Sequence, residues 1–283
     1  MCIDLHTHSI YSDGSCTPTE LVALAVANGL RGLALTDHDT IEGIEEFCRQ
    51  GAEAGLTVFS GVEISTSLHE RTIHILGYGI DPTNAELQSW LISLQEGRER
   101  RNTVILEKLQ HLGIDITAEE VKAISRCGQT GRAHFARLLI AKGVVASFDA
   151  AFRDYLGRHR PAWEGRFSYS AVEIIDMIHR AGGVAVLAHP GQIDPAMGAQ
   201  SALIRELTLR GLDGLELHYP THTRKMKKHL KALAAELGLL ITGGSDFHGF
   251  TRPVHRLAGK TLGFCPPCSI LEQLSARLAG RHH

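Results

Sequence analysis

Short apolar runs ending in an imidazole or a carboxylate recur from one end of this 283-residue chain to the other. They deliver His6 and His8 in DLHTHS, Asp13 just after, His38 in TDHD, Glu63 in GVEIS, His74 in HILGY, His189 in AHP, and Asp246 and His248 in GSDFH. A short apolar run bounded by turn residues reads as a buried strand, and a titratable residue at its end is a poor packing residue. Such residues are best accommodated where several strands present their ends to one rim, as in a β/α barrel. Nine donors so far apart in sequence meet only if the strands lie side by side. Imidazole and carboxylate are the ligands that zinc, manganese and iron accept.

The remaining pattern supports an α/β class. CIDLHTH, GLALTDHD, LTVFSGVEIS and TIHILGYG read as strands, and TPTELVALAVANGL and IEGIEEFCRQGAEAG as helices between them. Thr17 is a plausible N-cap with Pro18 at the first helical position. Alternating strand and helix predicts a parallel sheet with right-handed crossovers. From residue 81 the chain turns helical and charge-rich, and alternation resumes near 166 with SAVEIIDMIHRAGG and VAVLAHP. The expected organisation is a barrel over residues 1–80, a helical insertion over 81–165 and the rest of the barrel over 166–283.

Composition narrows the function classes. Apolar residues make up 43%, enough for a sizeable core, and no uncharged stretch is long enough for a bilayer. A net charge of −2 argues against a broadly basic nucleic-acid surface. No basic start followed by an apolar run marks a secretory leader, so a cytoplasmic location is expected. On the same ground the six cysteines are expected to be reduced thiols. The C-P-P-C of Cys265 and Cys268 has zinc-like spacing but stands alone, and reads as a turn. The terminal His282 and His283 are set aside.

Each motif also has a plainer reading. His6 and His8 lie two apart on a strand and share a face, as any pair of strand-end histidines would. Asp37, His38 and Asp39 follow an apolar run, but Asp39 or Thr40 could cap a helix starting near Ile41. Glu63 alone could be a surface residue, and His74 alone a satisfied core histidine. The pair Asp246 and His248 follows Gly243 and Gly244, which let backbone approach a site closely. The run GRERRN reads as a solvated helix face, and Arg158, His159 and Arg160 as a basic loop.

Taken together, DLHTHSIYSDGS, TDHDT, GVEIS, HILGY, AHP and GSDFH resemble the PHP (polymerase and histidinol phosphatase) family of metal-dependent phosphoesterases, in its TrpH-type branch, over Asp4 to His248. The resemblance implies a distorted (β/α)7 barrel with two or three divalent ions, manganese first, with iron or zinc as alternatives. It implies one ion on His6, His8, Glu63 and Asp246, a second sharing Glu63 with His74 and His189, and a third on Asp13, His38 and His248. Asp13 stands where some relatives have a histidine.

Paired divalent ions activate a water and clamp phosphoryl oxygens. The expected reaction is therefore phosphate-ester hydrolysis, with Glu63 and Asp246 holding the attacking hydroxide. Arg132 and His134, in TGRAHFAR at a helix start, are expected to meet substrate phosphate, with His134 donating a proton to the leaving oxygen. His222 and Arg224, in LELHYPTHTRK, are further candidates for substrate contact, beside Glu216, His218 and Tyr219. The branch resembled implies nucleoside 3′,5′-bisphosphates as substrates, losing the 3′-phosphate. A 5′-to-3′ exoribonuclease on short RNA and a histidinol-phosphate-type phosphatase are the alternatives, with a non-catalytic metal-binding module last. No membrane or protein partner is implied.

Overall fold

Among the residues described by the computed structural model (1–69, 71–124, 130–194, 197–251 and 255–281), seven strands form one sheet whose spatial order follows chain order. They are β1 (Cys2–Asp4), β2 (Leu30–Leu35), β3 (Thr57–Leu68), β4 (Arg71–Tyr78), β5 (Val184–Leu187), β6 (Gly214–His218) and β7 (Leu240–Gly243). β1–β2–β3 and β5–β6–β7 are parallel. β4 runs antiparallel to both its neighbours, which corrects the expected parallel sheet. Two residues separate β3 from β4, and a parallel crossover needs a dozen or more.

The architecture is mixed α/β, and the strand ladder is open between β1 and β7. Leu5, just past β1, donates its N–H to Gly243 O at the end of β7 (3.1 Å), and further on His8 N–H donates to Phe247 O (2.9 Å), so the chain segments at the two edges of the sheet meet there.

Helices α1 (Pro18–Ala27) and α2 (Ile44–Glu53) connect the first three strands. α1 begins as expected: Thr17 accepts from Glu20 N, and Glu20 accepts from Thr17 N. α2 starts later than expected, after Gly43 and with no side-chain cap. Between β4 and β5 come α3 (Ala85–His111), α4 (Ala118–Ile124), α5 (Arg132–Ala141), α6 (Phe148–Ala151), a π turn over Phe152–Leu156, and α7 (Ala171–Arg180). α8 (Pro190–Ile193) and α9 (Gln200–Leu209) lead to β6, α10 (Arg224–Leu237) leads to β7, and α11 (Ser269–Ala279) follows. No described helix is long and apolar enough to cross a membrane.

Apolar burial sorts into layers. Ile3 of β1, Leu5 just after it, Ala34 of β2, Leu76 of β4 and Val186 of β5 converge with Ile270 and Leu274 of α11. On the sheet's other side, Ile64, Ile73 and Ile75 pack under α3 and α7. A separate cluster of Ile105, Leu109, Phe135, Leu139 and Leu156 holds the later half of α3 to α5 and the π turn. Each fully buried aliphatic side chain contributes about 1.5–3 kcal/mol.

The cysteine expectation needs correction. Cys2 and Cys265 form a disulfide, their Cα atoms 4.9 Å apart. The chain brings them together because Ile3 N–H bonds Pro266 O (3.1 Å), a contact that a separation of 263 residues conceals. Cys16, Cys48 and Cys268 are free, and Cys268 sits in the expected turn, at the start of α11. Cys127, His282 and His283 lie outside the described residues.

Candidate metal centre

Glu63 is the hub. β3 has twelve residues and continues past the end of β2, which carries Glu63 to the rim and pairs it with Leu76 of β4. Its Oε2 lies 3.2 Å from His6 Nε2, 3.3 Å from His8 Nε2 and 3.1 Å from His38 Nδ1. Its Oε1 lies 2.7 Å from His74 Nδ1 and 3.0 Å from His189 Nε2. His74 arrives from the antiparallel strand, two residues from Leu76 and on the same face. Across from Glu63, Asp246 Oδ1 lies 3.2 Å from His8 Nε2 and 3.6 Å from His6 Nε2. Asp13 Oδ1 meets His248 Nε2 at 3.0 Å, and the rings of His8 and His248 stack with centroids 4.1 Å apart. All nine residues singled out in the sequence thus gather in one place.

Carboxylates outside the cage set the backbone that carries it. Asp4 accepts from Ser245 N and Oγ and from Ala258 N, tying β1 to the GSDFH loop. Asp37 accepts from Ser9 N, Ser9 Oγ and Ser12 Oγ and folds the loop before Asp13. Glu216 on β6 bonds His6 Nδ1 (3.2 Å) through one oxygen and His189 N (2.8 Å) through the other, which turns His6 Nε2 toward the centre. Tyr219 donates to Asp246 Oδ2 (2.9 Å), leaving Oδ1 on the cage side. Gly244 allows the close approach expected of it, since a Cβ there would fall 2.2 Å from His6 Cβ. His189 (φ 29°) and Asp246 (φ 55°) sit in left-handed backbone. Strain of that kind costs roughly 1–3 kcal/mol per residue and collects at functional sites.

The cage fits cations. His6 Nε2, both ring nitrogens of His8, His38 Nδ1, Glu63 Oε2 and His189 Nδ1 are buried without a hydrogen bond. Buried polar groups are ordinarily bonded, and leaving one unmet costs about 1–3 kcal/mol. Three overlapping sets each keep their donor atoms within 4.8 Å of one another: His6, His8, Glu63 and Asp246; His8, Asp13, His38 and His248; and His38, Glu63 and His74. The first is the expected first ion's set; in the third, His38 stands where His189 was expected. Burial opposes the Glu63 carboxylate, yet the facing imidazoles of His38, His74 and His6 hold its pKa well below the usual range. Burial lowers the pKa of His38 and His74, which favours the neutral form that a cation would take as a ligand. Burial also opposes charge on His8, but the adjacent carboxylates of Asp246 and Glu63 prevail and raise its pKa to about 9. His8 would give up its proton to solvent on binding a cation.

The family model of the PHP domain matches residues 4–156, more than half of the chain. The chain belongs to the PHP domain family. It is 35% identical to a 3′,5′-nucleoside bisphosphate phosphatase of Chromobacterium violaceum, over 98% of this chain and 97% of that protein. It is 39% identical to a 5′-3′ exoribonuclease of Haemophilus influenzae, over 87% and 89% respectively. Its fold matches that of an amidohydrolase from Chromobacterium violaceum, solved with bound sulfate and no metal, with a TM-score of 0.87, 34% identity and 98% and 97% coverage. The chain is, with its PHP relatives, a metal-dependent phosphoesterase.

The walls around this PHP cage follow the sequence reading less closely. His134 is 2% exposed, and its Nδ1 accepts from Gly131 N (3.0 Å). Burial, and then the charge of Arg137, lower its pKa to about 4. Arg132 opens α5 and lies over the Phe152 ring. His222 is corrected: it is 5% exposed, with Nδ1 on Leu217 O (3.0 Å) and Nε2 accepting from Gly191 N (3.0 Å), so both ring nitrogens support the turn beneath the site. Arg224 is exposed on the first turn of α10, and no described contact joins it to the cage. Arg158, His159 and Arg160 are exposed. Beside Asp13, a cavity of about 800 Å³ runs between the 10–16 loop, α1 and α5, with His134 in its wall and the exposed Phe250 at its edge.

Sequence reasoning missed Asp39 and its partners. Asp39 is not a helix cap. Its Oδ2 accepts from Arg98 Nε (2.6 Å) and Arg166 Nη1 (2.8 Å), and its Oδ1 from Ser65 N (3.1 Å). The GRERRN run is a solvated face only in part: Glu99 and Arg100 are exposed, while Arg98 and Arg101 turn inward. A charge run carries no sequence signal of burial by later packing.

Proposed function

We propose that this chain hydrolyses phosphate monoesters of small nucleotides, removing the 3′-phosphate of nucleoside 3′,5′-bisphosphates to leave the 5′-monophosphate. The observation that carries the reading is the cage: nine candidate donors, six buried side-chain atoms among them without a hydrogen bond, and three overlapping donor sets, two of which share Glu63. The near full-length likeness to a nucleoside bisphosphate phosphatase supports the substrate. The neighbouring structure binds sulfate, a tetrahedral anion of the same charge class as phosphate.

In this reading His6, His8, Asp13, His38, Glu63, His74, His189, Asp246 and His248 hold two or three divalent ions in a distorted barrel. Such ions lower the pKa of a bound water and neutralise phosphoryl oxygens. Glu63 and Asp246 are both ionised and orient the nucleophile from opposite sides of the cage. Arg132, at the start of α5, meets phosphate with a planar fork of donors. His134 is neutral near pH 7, and with Nδ1 occupied as acceptor it offers Nε2–H to the leaving oxygen. The cavity beside Asp13 is the place for the nucleoside.

The test is phosphate release from adenosine 3′,5′-bisphosphate by protein reconstituted in turn with manganese, iron and zinc. The expected products are one phosphate and the 5′-monophosphate, with turnover abolished by a chelator. No release, beside robust release from another phosphate ester, would discard this substrate while keeping the reaction class.

One observation favours a second reading, a 5′-to-3′ exoribonuclease. α10 presents Arg224, Lys225, Lys227, Lys228 and Lys231 just past β6, and Lys227 is close enough to help depress the pKa of His218. A basic helix leading from the cage suits a longer polyanion. Cleavage of a short 5′-phosphorylated RNA, faster than that of the bisphosphate and falling steeply with salt, would select this reading.

A further inference from the structure

Four arginines crowd one edge of the cage with a single carboxylate among them. Arg98 and Arg101 come from α3, Arg132 from α5 and Arg166 from the segment before α7. Asp39 is fully buried, and both its oxygens are committed, one to Arg98 and Arg166 and the other to Ser65 N. Arg101 is 5% exposed, and its described hydrogen bonds go to the neutral Asn102 Oδ1 (2.7 and 3.2 Å). Burial, then the charges of Arg98, Arg166 and Arg132, make charge on Arg101 unfavourable, and Arg98 acts likewise on Arg132 and Arg166.

Buried cations are ordinarily paired, and guanidinium keeps its proton in proteins. An excess of buried positive charge is therefore an unmet demand for an anion. The cluster is also well placed. The charge of Arg166 reaches His74, that of Arg98 reaches His134, and Asp39 adjoins His38. Gly131, where ten-residue α5 begins, lies against Arg98: a Cβ there would sit 3.6 Å from Arg98 Nη1. Helix N-termini favour anions as well.

We propose that Arg98, Arg101 and Arg166, together with Arg132, form a second anion site that holds the phosphate group the enzyme does not cleave. The site selects substrates carrying two phosphates, or one phosphate beyond the scissile bond. It rests on the phosphoesterase reading above and names the chemical feature by which that active centre chooses its substrate.

The test compares adenosine 3′,5′-bisphosphate with adenosine 3′-monophosphate on wild type and Arg101→Met. The bisphosphate's kcat/KM is expected to fall roughly 10- to 100-fold, the worth of one hydrogen bond to a charged group, with the monophosphate unchanged. Tm should hold or rise, since the substitution relieves repulsion among the guanidiniums. An equal loss on both substrates, or no loss on either, overturns the proposal. A second measurement needs no turnover: sulfate is expected to raise the Tm of the wild type and to leave that of Arg101→Met unmoved. If wild type cleaves neither nucleotide but the sulfate response is lost in the variant, the anion site stands and the substrate reading falls. An identical sulfate response in both proteins counts against the site. On a dinucleotide, a preference for a 5′-phosphate over a 5′-hydroxyl that disappears in the variant would support the site with an RNA end as its occupant.

Discussion

Glu216 stands outside the cage, yet it sets two of the cage histidines, steering the His6 ring with one oxygen and the His189 backbone with the other. Groups that orient metal ligands typically change affinity 10- to 100-fold when altered. Glu216→Gln keeps the shape and removes the charge, so manganese affinity measured by calorimetry should drop by about that factor. Unchanged affinity would show that His6 needs no such anchor. At this scale the nine donors were legible because each ends an apolar run and has no packing reason to be there. Arg98, Arg101 and Asp39 were not, since a charged residue looks the same in sequence whether it is solvated or clasped by a partner roughly sixty positions away. His222 misled for a related reason: an imidazole that braces a turn and one that meets substrate carry the same letter.

Element boundaries depend on short-range chemistry, and much of it was readable. The capping box of α1 and the glycines before Asp246 behave as expected. The reversal of β4 follows from the brevity of its connection to β3, which strand composition alone does not reveal. No element was assigned to 269–279, although Ile270, Leu274 and Leu278 recur at helical spacing; that pattern announces a helix without saying that it seals the sheet's inner cluster. The segments following β1 and β7 approach each other closely at the site. Gly244→Ala would press a methyl onto His6 backbone and Cβ, and overpacking of this kind costs about 1–3 kcal/mol. Both Tm and manganese affinity should fall; a loss of stability with intact metal binding would place the strain elsewhere.

The molecule as a whole is built from clusters that meet at the rim. The sheet's inner and outer layers position eight of the donors, and the helical segment between β4 and β5 brings Arg98, Arg101, Arg132 and His134 over them. The change in composition near residue 81 was legible, but which face of the later segment covers the site depends on packing between helices that sequence periodicity does not orient. The Cys2–Cys265 bond spans nearly the whole chain, and removing a native disulfide costs about 2–5 kcal/mol. Cys2→Ser should lower unfolding free energy in urea by that amount, and equal stability in the two proteins would mean that the neighbouring backbone bonds suffice. Joining position 2 to position 265 also makes the polypeptide a covalent ring with a short tail. A single break in any surface loop then opens the ring without releasing a fragment, and every donor stays tethered to its fellows.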